Sequence, residues 1–237
     1  MLTQLGYQGL PSIPQVLAYG HLVEQGLCFS ILSGLHGKQL KNHFRSGFTA
    51  IRPLQEAMLW LDCLNAVKTG VLAAILPQGL TARFLPSFDP LSEGLATCDK
   101  LENSFDVHFA RNFLHFAAEF ETSNPEPCII HGSFTVFNIL ANSNSLCGIV
   151  DFESTRIGDP MEDYGSLGYY LAQEVSEKSA FDWLQLTMHR YGRHKFVTRA
   201  VPFMLWFALA RTNLQKVRWG RIRKIITKLE FFHKACA

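Results

Sequence analysis

The stretch that decides the fold runs from residue 128 to residue 163, "CIIHGSFTVFNILANSNSLCGIVDFESTRIGDPMED". Two short apolar runs in it, "CIIHG" and "CGIVDF", flank the turn formers "NSNS", and this predicts a small hairpin. Asn138 ends one loop and Asp151, thirteen residues later, opens the next. A hairpin between them would carry an amide oxygen and a carboxylate toward one point. Both are hard oxygen donors of the kind that hold magnesium.

Outward from this stretch the pattern divides in two. Upstream, "IPQVLAYG" and "LCFSILSG" are rich in Val, Ile, Leu and Phe and bounded by Pro and Gly, which predicts two strands joined near "HLVEQG". After "GLHGKQL" the spacing of Leu54, Ala57, Met58, Leu61 and Leu64 is helical, with Pro53 where a helix can begin. A second helix is expected over 106–120, ended by "TSNPEP". Beyond Asp163 the periodicity predicts helices over 164–174, 180–191, 201–216 and 222–233, the last with an apolar stripe of Ile222, Ile225, Ile226, Leu229 and Phe232.

Composition bounds the function. The chain has 237 residues, 48% of them apolar, enough to bury a full core. With 22 basic and 20 acidic side chains its net charge is +2, so no overall field points to nucleic acid or an anionic membrane. Local basic residues Lys216, Arg218, Arg221, Arg223, Lys224 and Lys228 read as a solvated helix face, and the aromatic residues Tyr169, Tyr170, Trp183, Trp206 and Trp219 mostly as core. The longest apolar run, "VPFMLWFALA", is about half of the roughly 20 residues a membrane span needs. The N-terminus has no signal-peptide pattern, so a cytoplasmic, soluble protein is expected. Six cysteines without any C-x-x-C pair read as reduced thiols.

Read as one series, His131-Gly132-Ser133-x-x-x-x-Asn138, then Asp151-Phe152-Glu153, then "RIGDPMEDYGSLGYYL" resembles the catalytic core of the aminoglycoside phosphotransferase and choline kinase family. Singly each piece has an ordinary account: Asn138 or Asp151 caps a turn, and "GDP" is a turn signal. In order and at these spacings they reinforce one another. The resemblance implies an α+β, protein-kinase-like fold. Residues 1–37 would be a partial N-lobe of two strands and a hinge, and residues 38–237 a helical C-lobe with the phosphotransferase loops. It implies ATP and Mg²⁺ as cofactors, with Asn138 and Asp151 as the metal ligands. Ser33, Gly34 and Leu35 would be the nucleotide-binding hinge, His131 the support beneath the loop, and Asp163 a structural carboxylate accepting backbone N–H groups.

Two departures shape the expected function. Where the family has an Asp that orients the proton of the attacking hydroxyl, this chain has Ser133, which carries no negative charge near neutral pH. Glu153 is the nearest acid, but a strand continuing past Asp151 would point it away from the acceptor. The family also places a glycine-rich loop and a strand lysine before the first hairpin, and Met1 falls after both. The expectation is therefore a lineage of ATP-dependent small-molecule kinases with impaired or no activity in this chain, weak nucleotide binding, and no recovery from Ser133→Asp alone. An active phosphotransferase whose N-lobe lies elsewhere, and a non-catalytic interaction module, are the alternatives. Partners would be a small-molecule hydroxyl acceptor and, at the open edge of the first hairpin, another strand or a second copy. Neither nucleic acid nor membrane is expected as a partner.

Overall fold

A computed structural model describes residues 13–22, 27–44, 51–67, 89–101, 104–120, 126–142, 144–210 and 216–235. Strands β1 (Val16–Leu22) and β2 (Leu27–Leu32) pair antiparallel, from Leu22 opposite Leu27 to Val16 opposite Leu32. This is the hairpin read from the branched and aromatic runs; residues 23–26 lie outside the described residues. The segment after it carries β3 (Lys38–Gln39) and α1 (Leu40–Phe44).

Helix α2 (Ile51–Asn65) follows the predicted spacing, and Pro53 stands in its first turn, where the ring costs no intrahelical hydrogen bond. Its buried face of Leu54, Ala57, Trp60, Leu61 and Leu64 forms one wall of the core. Helix α3 (Pro90–Lys100) was not expected from periodicity, yet its start is written in "DP". The Asp89 carboxylate accepts from Leu91 N–H (3.4 Å) and Ser92 N–H (3.1 Å), with Pro90 in the first turn. Helix α4 (Phe105–Ala118) agrees with the predicted 106–120 within two residues at each end and is capped by Ser104.

The small strands correct the sequence reading. The runs "CIIHG" and "CGIVDF" do not pair with each other. Strand β4 (Cys128–Ile130) pairs with β7 (Arg156–Gly158), while β6 (Leu146–Ile149) pairs with β5 (Ile139–Ala141), whose other edge takes β3. The turn after β5 is fixed by Asn142, whose side-chain oxygen accepts from Asn144 N–H (2.9 Å) and Ser145 N–H (2.8 Å). The apolar part of "NILAN" is three residues long, too short to stand out from a loop by periodicity, but burial of Ile139 and Ala141 on one face makes it a strand.

The rest is helical: α5 (Met161–Tyr170), α6 (Glu177–Tyr191), α7 (Val201–Leu209) and α8 (Trp219–Ala235). The expected helix over 164–174 widens into a π turn at Leu171–Val175, and a second π turn, Phe196–Ala200, leads into α7. On α8, Ile222, Ile225, Ile226 and Leu229 are buried as the stripe predicts, and the side chain of Phe232 is outside the described residues. The basic residues of this region are not simply solvated. Arg221 donates to the carbonyls of Ala172 (3.0 Å) and Val175 (3.2 Å), Arg223 pairs with Asp106 (3.2 Å), and Lys228 pairs with Glu177. Of the five aromatic residues, Tyr169, Trp183 and Trp219 are buried. Among the described residues no helix is long and apolar enough to cross a membrane. Cys63, Cys98, Cys128 and Cys147 are free thiols.

Candidate functional site

The site forms where the nested strands turn. Register in the inner pair sets Ile139 opposite Ile149, and Val150 N–H donates to Asn138 O at 3.0 Å, extending the ladder by one step. That step puts Asp151 beside Asn138. The Asn138 amide nitrogen lies 3.1 Å from Asp151 Oδ2 and also donates to the Ser133 carbonyl (2.9 Å) and hydroxyl (3.2 Å). One amide thus draws the two loops together.

The first loop is fastened from behind. The buried Asp163 carboxylate accepts from His131 N–H (2.7 Å) and Gly132 N–H (2.9 Å), one donor on each oxygen. Burial, and then the neighbouring Glu162, pushes this carboxyl up to about 7, against the pull of those two donors. His131 is itself buried. Its Nε2–H donates to the Val150 carbonyl at 3.0 Å, and its Nδ1 accepts from Ser133 N–H at 3.3 Å, an arrangement that fixes the neutral imidazole. Burial lowers its pKa to about 4. The ring packs in an aromatic cluster: it lies 4.9 Å from Phe152 and 5.7 Å from Phe134, and Trp60 stacks on Phe134 at 6.0 Å.

Gly132 is required where it stands. Its φ is +76°, and a Cβ there would lie 2.2 Å from the Ser154 carbonyl oxygen and 2.3 Å from Arg156 Nη1. Arg156 was not singled out from the sequence. It donates to Ser154 O at 3.2 Å and pairs with the buried Glu162, packing the loop against α5. Its only sequence signal is its place between Asp151 and "GDP". Asp159 of that "GDP" accepts from Met161 N–H (2.9 Å) and from Arg199 Nε (2.6 Å), and Arg199 reaches Asp89 (3.0 Å), tying the loop to α3.

The second loop is held differently. Asp151 has φ 68° and ψ 66°, the left-handed region, and it is the one non-glycine residue with positive φ among the described residues. Its carboxylate is exposed. The next three residues form not the expected strand but a 3-10 turn, Phe152–Ser154, that buries Phe152 and leaves Glu153 exposed. Strand alternation therefore does not direct Glu153; its exposed side chain turns to solvent in the 3-10 turn.

Ser33, Gly34 and Leu35, expected to form a nucleotide hinge, lie well upstream at the end of β2. Ser33 N–H donates to the Gln15 carbonyl at 2.8 Å and Ser33 Oγ accepts from Gln15 N–H at 2.8 Å, closing the base of the first hairpin. Gly34 is exposed, with open space where a Cβ would point, and Leu35 is half-buried. The segment joins the site through β3, which pairs with β5, and through Lys41, whose N–H donates to Val136 O at 3.3 Å.

As a metal site the donor set is sparse. Among the described residues no group of three or more His, Cys, Asp or Glu could hold an ion. An exposed carboxylate beside an amide does suit magnesium, which keeps several waters and shares its remaining positions with phosphate oxygens.

The fold is that of known small-molecule phosphotransferases. The GDP complex of wild-type aminoglycoside 2'-phosphotransferase-IIIa superposes with a TM-score of 0.58 at 21% identity, over 95% of this chain and 79% of that one. The GDP and kanamycin complex of APH(2")-IIIa gives 0.61 at 19% identity, over 97% and 79%. A ternary complex of APH(4)-Ia with ADP and hygromycin B gives 0.56 at 16% identity, over 92% and 77%. No curated protein matches the sequence. The family model described as "Phosphotransferase enzyme family" matches residues 1–195 of 237, more than half of the chain, and the loops around His131, Asn138, Asp151 and Asp163 lie inside it; the chain belongs to that family.

Proposed function

We propose that this chain is an ATP-dependent small-molecule phosphotransferase by lineage whose transfer step is impaired at Ser133. In this reading Asn138 and Asp151 hold Mg²⁺ with the nucleotide phosphates, Asp163 and His131 keep the first loop in place, and Ser33–Leu35 meet the nucleotide base. A bound magnesium ion neutralises charge on the phosphoryl oxygens. Asn138 would offer the ion its amide oxygen and Asp151 its exposed carboxylate, the two side chains lying 3.1 Å apart.

The observation that carries the reading is Ser133. Its hydroxyl lies 3.2 Å from the Asn138 amide nitrogen, so the residue stands beside the two groups offered to the metal, with a neutral hydroxyl where a base is needed. Loss of a general base costs ~10²–10⁴ in rate, equivalent to about 3–5 kcal/mol of barrier. The test is transfer of the γ-phosphoryl group from ATP to kanamycin, hygromycin B and simple hydroxylated acceptors by the 237-residue chain. No transfer above background is expected. Turnover by the native chain that disappears in Asp151→Ala would overturn the reading and make this an active kinase with another means of activating its acceptor.

A further inference from the structure

Beside the first loop lies a set of groups that the proposed reaction does not use. Lys41, the second residue of α1, directs its ammonium to Glu174 Oε2 at 2.7 Å and stands 4.7 Å from the centroid of the Phe137 ring. Phe137 immediately precedes Asn138, and its ring meets Tyr170 edge-on at 5.9 Å. Glu174 lies in the π turn that interrupts the end of α5. A carboxylate and an aromatic face around one point are the elements that bind an ammonium ion. Here that ion is supplied by the chain itself, and it is mostly enclosed: the Lys41 side chain is 18% exposed and that of Glu174 35%. The preceding residue in the same turn, Gln173, is buried. Its Oε1 accepts from Arg218 N–H at 2.8 Å, and its amide nitrogen has no hydrogen-bond partner.

We infer that the Glu174–Phe137 seat is an ammonium-binding subsite next to the catalytic loop that Lys41 fills, and that this sets the acceptor class: a neutral or anionic hydroxyl compound, not a cationic one. The inference rests on the proposed function only in calling the ligand an acceptor. The cationic seat is a property of the fold and is tested without transfer. A ligand amine gains nothing at Glu174 while Lys41 neutralises it, and it must displace a tethered competitor whose backbone is held by the bond from Lys41 N–H to Val136 O.

The experiment is calorimetric titration of the native chain, Lys41→Ala and the double variant Lys41→Ala/Glu174→Gln with kanamycin and with choline, without nucleotide. Lys41→Gln, which keeps the stem over Phe137 and removes the charge, replaces Lys41→Ala should the latter not fold. The expected result is a gain in affinity of tenfold or more for both amines on removing the Lys41 charge, and loss of that gain in the double variant. Equal affinity in native and Lys41 variants, or a gain that survives Glu174→Gln, overturns the inference. Neither outcome depends on whether the native chain transfers phosphate, so the transfer assay and this titration fail separately.

Discussion

The two loops that meet at Asn138 are built on opposite principles. The loop of His131 to Ser133 is held by buried partners: two backbone N–H groups on Asp163, an imidazole wedged among Trp60, Phe134 and Phe152, and a glycine pressed against Ser154. The loop of Asp151 buries Phe152 in the same aromatic cluster, but Asp151 itself is set by its backbone. It sits at positive φ with its carboxylate exposed. The first arrangement makes stability and site geometry one property; the second separates them. Substitutions in the first loop's supports should therefore destabilise the protein, and those at Asp151 should alter binding with little effect on stability.

The largest expected effect is from Asp163→Ala, which leaves two inward-facing N–H donors without acceptors. At ~1–3 kcal/mol for each orphaned donor the loss is about 2–6 kcal/mol, read as a lowered urea midpoint at pH 7 with unchanged slope. A variant within about 1 kcal/mol of native would mean that water replaces the carboxylate and that the first loop is not fastened by it.

Next in size is a pH effect at His131. Its folded pKa of about 4 lies below the ordinary 6.5, so the native state takes up its proton later than the unfolded chain as pH falls. Stability from the neutral ring is complete above about 6.5 and is lost toward pH 4, a change of about 3 kcal/mol. Asp163 works in the opposite sense: its raised pKa contributes stability that is present at low pH and lost as pH rises toward 7. The measurement is accordingly a difference. Stability of the native chain minus that of His131→Gln should fall between about pH 6.5 and 4.5, because the Asp163 contribution is common to both. A flat difference would place solvent at the imidazole.

The smallest effect sharpens the contrast most. Asp151→Gly relieves a left-handed conformation that costs an L-residue ~1–2 kcal/mol, less for Asp, and Gly repays part of that in unfolded-state freedom. A change within about 1 kcal/mol of native in either direction is expected in denaturant melts, together with loss of any Mg²⁺-dependent response to ATP. A large destabilisation would show that the second loop is structural too.

Much of this was legible in the sequence, for reasons visible in particular residues. The α2 stripe and the α8 stripe are long enough for a 3.6-residue period to be counted, and the residues read as one series lie together in the fold, Asn138 beside Asp151 and the His131 N–H on Asp163. Strand pairing was misread because β4, β5 and β7 have three residues each, and period 2 has no statistics in three residues. The turn at Phe152–Ser154 was hidden because it follows from the φ of Asp151, which a carboxylate adopts without any glycine to announce it. Lys41 and Glu174 meet across 133 positions of sequence, and no local pattern links residues so far apart.

The pairing of β4 with β7 encloses the hairpin of β5 and β6, so that one loop is nested in another. In kinetic terms the inner loop is short and closes early, and the outer one costs little more, because closure entropy grows only as about (3/2)RT ln n with loop length. On this ground Asn138 and Asp151 are expected to come into register before Cys128 meets Gly158, with the outer pairing closing around them. Amide exchange should accordingly place residues 128–130 and 156–158 in a single opening unit, with the inner pairs at 139–141 and 146–149 opening no sooner than they do.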